Sequence, residues 1–369
     1  MSSTVQNQYL PNYVSPPGET LLDVLEERGM SQAELADRTG RPKKTISEII
    51  NGKAAITPDT ALQLERALDI RASFWNSREQ KYRDYLARQQ EQDRLQKQIS
   101  WLDSVPVKEM VKFGWIEKSN EKVEQLQIVL NYFGVVSPEQ WDTYWNSRAV
   151  AFRKSVKFED HRVATNAWLR KGELEAQKIE CALYSAEKFE QALQEIRSLT
   201  VEHPKQVFSK TQQLCAAAGI AFVLVPSLKG VRASGVTRWL TPTKALIQLS
   251  LRYKRNDHFW FTFFHEARHV LQEKKRDIFI ETEHKKQDYD PNDPMEQDAD
   301  AFAANLLIPE LALQQFLAVQ KFDSGSITQF ALEIGIAAGI VVGRLQRDKH
   351  LSYAHCKELF QKLDWGEMS

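Results

Sequence analysis

The 369-residue sequence predicts a mostly α-helical chain with a compact N-terminal helical bundle and one small α+β unit towards its C-terminus. Three observations support this. Between Gly18 and about Asp69 run four short amphipathic segments, each with a helix start or stop signal. From there to about residue 216 the pattern stays helical, with heavily charged faces. Near Gly219 the character changes to short β-branched and aromatic runs alternating with helical text.

The elements follow in order. Residues 1–16 are polar, with Tyr, Asn and Pro, and read as a flexible arm. Leu21, Leu22, Val24 and Leu25 form one face of a first helix that Gly29 ends. Ser31 caps a second helix, with Glu34 in the capping-box position. Gly40-Arg41-Pro42 makes a turn, a third helix runs from Lys43 to Asn51, and Thr57-Pro58 opens a fourth that reaches Leu68. The stretch from Arg78 to Ser100 is dense in Arg, Gln, Lys and Asp and reads as a solvated helix. Helical text continues to 216, broken at Gly134 and Ser137-Pro138. Ile220 to Val225, Gly235 to Leu240 and Ala245 to Leu251 read as strands, and helices resume after Pro309. The expected domains are an arm (1–16), the helical bundle (17–77), a helical linker or middle domain (78–199) and the α+β domain with C-terminal helices (200–369).

Composition narrows the function classes. Lys+Arg and Asp+Glu are both 49, so any nucleic-acid contact must come from a local patch. Cys181, Cys215 and Cys356 lie far apart with no CxxC pair, which predicts buried thiols in a reducing compartment. The first 17 residues lack the pattern of a secretory signal, and no run of roughly 18 apolar residues predicts a membrane span. A cytoplasmic protein without membrane contact is expected.

The strongest chemical signal is His265-Glu266-Ala267-Arg268-His269. Histidines four apart on a helix share a face about one turn apart, within reach of a single tetrahedral ion. Glu266 can reach a water at that ion without ligating it. A third ligand is expected downstream, where Glu296 and Asp300 share a face of a second helical segment. Glu296 suits the ion, and Asp300 suits the outer N–H of a ligand histidine. Asp298 points roughly 200° away from Glu296 and is the weaker candidate. A metzincin pattern would need Gly at 272 and His at 275, where Gln272 and Lys275 stand, and His284 lies in a charged tract between the two helices. These parts predict a zinc hydrolase with Glu266 as general base. The strand Ala245 to Leu251 is expected to offer an edge to a substrate peptide. Arg252, Tyr253 and Arg344 remain open as a second oxyanion donor.

The second and third N-terminal helices form a helix-turn-helix pattern. Leu35, Ile46 and Ile49 face inward, and Ala36 allows close approach. The start of the third helix would enter a major groove. Thr45, Ser47 and Glu48 are candidates for base edges, with Asn51 on the same outward set. Arg41, Lys43, Lys44 and Lys53 are candidates for phosphates, joined by Gln32. Four clustered cations predict a homodimer on two half-sites of double-stranded DNA.

Two resemblances meet in these motifs. Residues 17–85, through SQAELA, PKKTISEIING, KAAITP and Phe74-Trp75, resemble the Xre-type helix-turn-helix of HigA-like antitoxins. Residues 200–347, through FTFFHEARH, EQDADAFAANLLIP and GIVVGRLQ, resemble ImmA/IrrE-type zinc metallopeptidases, and the Glu-x-x-x-Asp spacing resembles the gluzincins. One departure is Arg268, where many relatives carry a small or apolar residue at a position that is not a ligand. The resemblance implies a mostly α fold with a gluzincin-like zinc-peptidase domain. It also implies a regulator that binds an operator and cleaves a partner such as a repressor or toxin–antitoxin component. The competing expectation is a HigA-like antitoxin or repressor whose zinc fold is structural and does not cut.

Overall fold

A computed structural model of the chain describes residues 14–149, 161–272, 279–282 and 293–365. Most of the expected arm, and His284 with nearly all of its charged tract, lie outside the described residues. The chain divides at Ile99/Ser100 into two compact units.

The first unit holds α1 (Pro17–Glu27), α2 (Gln32–Thr39), α3 (Lys43–Ile50), α4 (Pro58–Leu68) and α5 (Ala72–Gln96). Local chemistry sets its boundaries. The Ser31 hydroxyl accepts the Glu34 N–H at 3.1 Å, a cap worth about 1 kcal/mol. The capping box is only half formed, because the Glu34 carboxylate takes the Arg38 guanidinium at 2.6 Å instead. Gly40 ends α2 at φ 68°, a left-handed turn that glycine adopts without penalty. Leu21, Leu25, Leu35, Ile46, Ile49 and Trp75 share one core. Gly18 has a packing reason, since a β-carbon there would sit 2.2 Å from the Ile49 carbonyl oxygen where α1 meets α3.

The second unit is built on a four-stranded sheet ordered β1-β3-β2-β4, with β1 Ile220–Leu224, β2 Ala233–Thr241, β3 Lys244–Leu249 and β4 Phe279–Thr282. β1 runs parallel to β3, and β2 is antiparallel to both β3 and β4. Preceding the sheet are α6 (Val107–Lys112), α7 (Lys122–Phe133), α8 (Pro138–Ala149), α9 (Arg162–Gln177), α10 (Ala186–Ser198) and α11 (Pro204–Ala217). Beyond β3 come α12 (Asn256–Leu271), α13 (Pro294–Leu307), α14 (Glu310–Ala318), α15 (Ser324–Ile334) and α16 (Ala338–Arg347), with β4 between α12 and α13.

Strand alternation sends neighbouring residues into two different cores. Ala221, Val223 and Leu246 join the aromatic cluster of α7, α8 and α9, which includes Phe133, Trp141 and Trp168. Ile220, Phe222 and Ile247 join the other core, with α10 to α16. The expected middle domain 78–199 is therefore corrected. Its first part belongs to α5 in the N-terminal unit. From residue 100 onward the chain is one unit with the sheet, because α7 to α9 cover a sheet face that would otherwise expose apolar side chains. Buried polar ties fix this layer: the Trp168 indole donates to the Val225 carbonyl at 3.0 Å, and Arg238 pairs with Glu173 at 2.7 Å.

Two further expectations change. β3 is an interior strand between β1 and β2, so the Ala245 to Leu251 segment offers no free edge. β4 was not expected, since its residues adjoin a tract rich in charge. Of the three thiols only Cys215 is fully buried. Among the described residues, no single helix is long and apolar enough to cross a membrane.

Candidate metal centre and nucleic-acid face

α12 carries the HEARH segment and is buried on nearly every side. Phe259, Trp260, Phe263, Phe264 and Val270 anchor its back in the core, roughly 1.5–3 kcal/mol for each such side chain. That anchoring fixes the direction of the opposite face. α13 starts at Pro294, with the Asp293 carboxylate accepting the Met295 N–H at 3.0 Å. Ala267 on α12 and Ala299 and Ala303 on α13 are fully buried, and these small side chains let the two helices approach closely.

The approach brings three ligand atoms together. His265 Nε2 and His269 Nε2 are 3.0 Å apart, and the Glu296 carboxylate lies 3.2 Å from the first and 3.6 Å from the second. Four-coordinate zinc with bonds near 2.0–2.1 Å separates its ligands by about 3.3 Å, so the spacing fits. The protons also fit. His265 Nδ1 lies 3.0 Å from Asp300 Oδ1, an acceptor that holds the ring proton there. His269 Nδ1 lies 2.9 Å from Gln272 Oε1. The Gln272 amide nitrogen donates to the Met295 carbonyl at 3.1 Å and to Asp298 at 2.9 Å, which fixes its oxygen towards the histidine. With its proton on Nδ1 alone, each imidazole would turn an Nε2 lone pair to the same point as the carboxylate. Such a set suits a cation. Where the Nε2 atoms carry protons instead, burial still opposes the ionisation of Glu296, but hydrogen bonds and charge from His265 and His269 outweigh it and hold its carboxyl well below the usual range.

Glu266 is fully buried, with His265 and His269 at 2% and 1% exposure. Its backbone carbonyl accepts the Thr237 hydroxyl at 2.9 Å, tying α12 to β2. Its carboxylate rests against Gly235, where a β-carbon would come within 2.7 Å of Glu266 Oε1. Asp298 turns away from the ligand point to the Arg268 guanidinium at 2.8 Å, which holds its carboxyl below the usual range. Arg268, the residue that departs from the motif, thereby joins α12 to α13. Arg347 of α16 donates to the other oxygen of Asp300 at 3.0 Å.

Gln272, Gly235 and Arg347 were missed in the sequence. Gln272 lies three residues past His269, and that helical spacing was a usable signal. A glycine inside a strand signals close approach of another group. Arg347 gave no signal, since its partner is 47 residues distant. Of the oxyanion candidates, Arg252 donates to the Arg232 carbonyl at 2.7 Å, Tyr253 stacks on His258, and Arg344 binds Asp348 at 2.5 Å.

On the N-terminal unit, Gln32, Lys43, Lys44, Asn51 and Lys53 are exposed, and Thr45, Ser47 and Glu48 are half-buried. Asn51 folds back, its amide donating to the Ser47 carbonyl at 2.7 Å. Lys44 lies 3.7 Å from Glu48. Arg41 is held by α4, through Asp59 at 2.6 Å and Gln63 at 2.5 Å.

The fold and site define a two-part protein, a helix-turn-helix bundle and an α+β unit with a possible His/His/Glu metal site. Family comparisons agree: residues 21–75 match the helix-turn-helix family, and residues 229–345 match the IrrE N-terminal-like domain, a peptidase family. The first segment thus matches the helix-turn-helix family and the second the IrrE N-terminal-like family, in line with the Xre and ImmA/IrrE resemblances. It is similar to virulence-associated protein A of Dichelobacter nodosus, at 42% identity over 52 residues, 14% of this chain. The chain spans about half (51%) of that relative's length. Two solved structures are similar over the N-terminal part. One is an addiction module antidote protein of the HigA family from Coxiella burnetii, at 28% identity, covering 23% of this chain and 92% of that one, with a TM-score of 0.21. The other is a candidate antidote protein of a plasmid maintenance system from Nostoc punctiforme, at 31% identity, covering 22% and 91%, with a TM-score of 0.22.

Proposed function

We propose that this chain is a transcriptional regulator that binds a DNA operator through α2 and α3 and carries a zinc-dependent endopeptidase that cleaves a partner protein. The observation that carries the reading is the convergence of His265, His269 and Glu296 beside a buried Glu266, with a proton-holding partner on each imidazole. His265, His269 and Glu296 would hold the ion and leave one position open. Zinc bound there supplies Lewis acidity and makes water acidic enough to yield a nucleophile near neutral pH. Glu266, next to the first ligand, takes the proton of the attacking water and delivers it to the leaving amine. Asp300 and Gln272 hold the two rings in the ligating tautomer throughout.

The partner is proposed as a repressor or a toxin–antitoxin component, in keeping with the antidote proteins that the N-terminal unit resembles. Lys43, Lys44, Lys53 and Gln32 serve DNA phosphates, and Thr45, Ser47, Glu48 and Asn51 lie on the reading face. Arg41 contributes less than its charge suggests, because Asp59 already pairs it.

The test incubates zinc-loaded protein and its Glu266→Gln variant with the repressor or toxin encoded beside it. Cutting by the wild type alone, with zinc retained in both, is expected. Zinc in both, no cutting of any neighbour and intact operator binding would replace this reading with an antitoxin or repressor that has a structural zinc fold.

A further inference from the structure

A recess is lined by Phe261, one helical turn before His265 on α12. It has a volume of about 230 Å³ and sits between the N-terminal half of α12, the end of α13 and α16. Phe261, Leu307, Ile308 and Ile340 give it an apolar body. Arg255, Arg344 and Arg347 line it too, with Asp257 as the one lining carboxylate. Asp257 is taken by Arg255 through two hydrogen bonds, at 3.0 and 2.6 Å. The acids that pair the other two arginines, Asp348 and Asp300, do not line the recess, nor does Glu310 at 3.8 Å from Arg344. Arg344 keeps one donor, Nη1, buried with no hydrogen-bond partner among the described residues. A buried guanidinium donor without an acceptor is unfavourable, and a small turn of the Arg344 side chain would bring it to an anion in the recess.

Arg347 connects this recess to the metal ligands. Its guanidinium lies 4.5 Å over the Phe261 ring and donates to Asp300 Oδ2, whose other oxygen holds His265 Nδ1. A group that draws Arg347 into the recess loosens its hold on Asp300, and through Asp300 alters the basicity of His265. We infer that the recess binds a small molecule with one anionic group, a carboxylate or phosphate, on an apolar body, and that its occupancy is coupled to metal binding through Arg347 and Asp300. The volume lies below the 300–1,000 Å³ usual for larger ligands, which fits a single ring or short chain.

Isothermal titration of the full-length chain with benzoate, phenyl phosphate and uncharged benzyl alcohol tests this. At least one anion should bind saturably and at least tenfold tighter than the alcohol, and which one does so identifies the head group. Arg344→Gln removes the free donor, and Ala304→Leu narrows the recess from a half-buried helical position. Each should weaken the anion at least tenfold with an unchanged circular dichroism spectrum. Chelation with EDTA should shift the anion's affinity, and zinc affinity should shift by the same factor when the anion is added. Equal binding of the alcohol, no saturable anion binding, or binding that survives both substitutions would overturn the site. An affinity unmoved by chelation would overturn the coupling. None of these readouts requires peptide cleavage, so the inference stands or falls apart from the peptidase reading.

Discussion

The α12–α13 face and the α3 face both present polar side chains, but the first is held and the second is open. Around the candidate metal centre each histidine has an acceptor at its outer nitrogen, and each acceptor is held in turn, Asp300 by the Arg347 guanidinium and Gln272 by donating to Met295 and Asp298. On α3 the lysines are exposed, and among the described residues the Asn51 side chain bonds to Ser47 of its own helix. The contrast suits the work proposed for each face. Metal binding and proton transfer need donors fixed in advance, because misplacement of even one ångström costs rate. A DNA-reading face is completed by its partner, so its side chains can stay free until the groove orders them.

That contrast can be broken at graded cost. Glu266→Gln keeps the shape and removes the base, so cleavage should fall about 10²–10⁴-fold with zinc content unchanged, as measured by peptide hydrolysis beside metal analysis. Asp300→Ala leaves all three ligands in place but frees His265 Nδ1. Zinc affinity should fall about 10–100-fold in a competition titration with a chromophoric chelator. Gly235→Ala pushes a methyl group towards Glu266 and Thr262. It should cost about 1–3 kcal/mol in urea unfolding, since β2 and α12 must separate. On the open face the changes should be smaller and uniform. Lys43→Ala or Lys44→Ala should weaken all DNA sequences alike and lower the salt slope of binding by about 1 each in fluorescence anisotropy. Arg41→Ala should lower it less, because Asp59 already neutralises that guanidinium.

Legibility in the sequence followed the range of each interaction. α2 and α4 were readable to the residue because Ser31 and Thr57 cap them within three positions. His265, Glu266 and His269 were readable because one helical turn sets their geometry, and Glu296 and Asp300 because a second does. Asp298 was separated from Glu296 by helical angle alone, and the Arg268 pair shows where it went. The role of residues 100–199 was not readable. The need for α7 to α9 arises only when β1 and β3 pair and present Ala221, Val223 and Leu246 on a face that must be covered. β4 was hidden for the same reason, since its partners lie on β2 some 45 residues earlier. The pairing of Arg41, a phosphate candidate, was not readable because its acid, Asp59, lies 18 positions away on another helix.

The most direct measurement is zinc stoichiometry by mass spectrometry after exhaustive dialysis, on the wild type, Glu296→Ala and Asp298→Ala. One zinc per chain in the wild type and in Asp298→Ala, with almost none in Glu296→Ala, is the predicted result. A wild type without zinc, or a site lost with Asp298 and kept without Glu296, would contradict the assignment of the third ligand and the peptidase reading built on it.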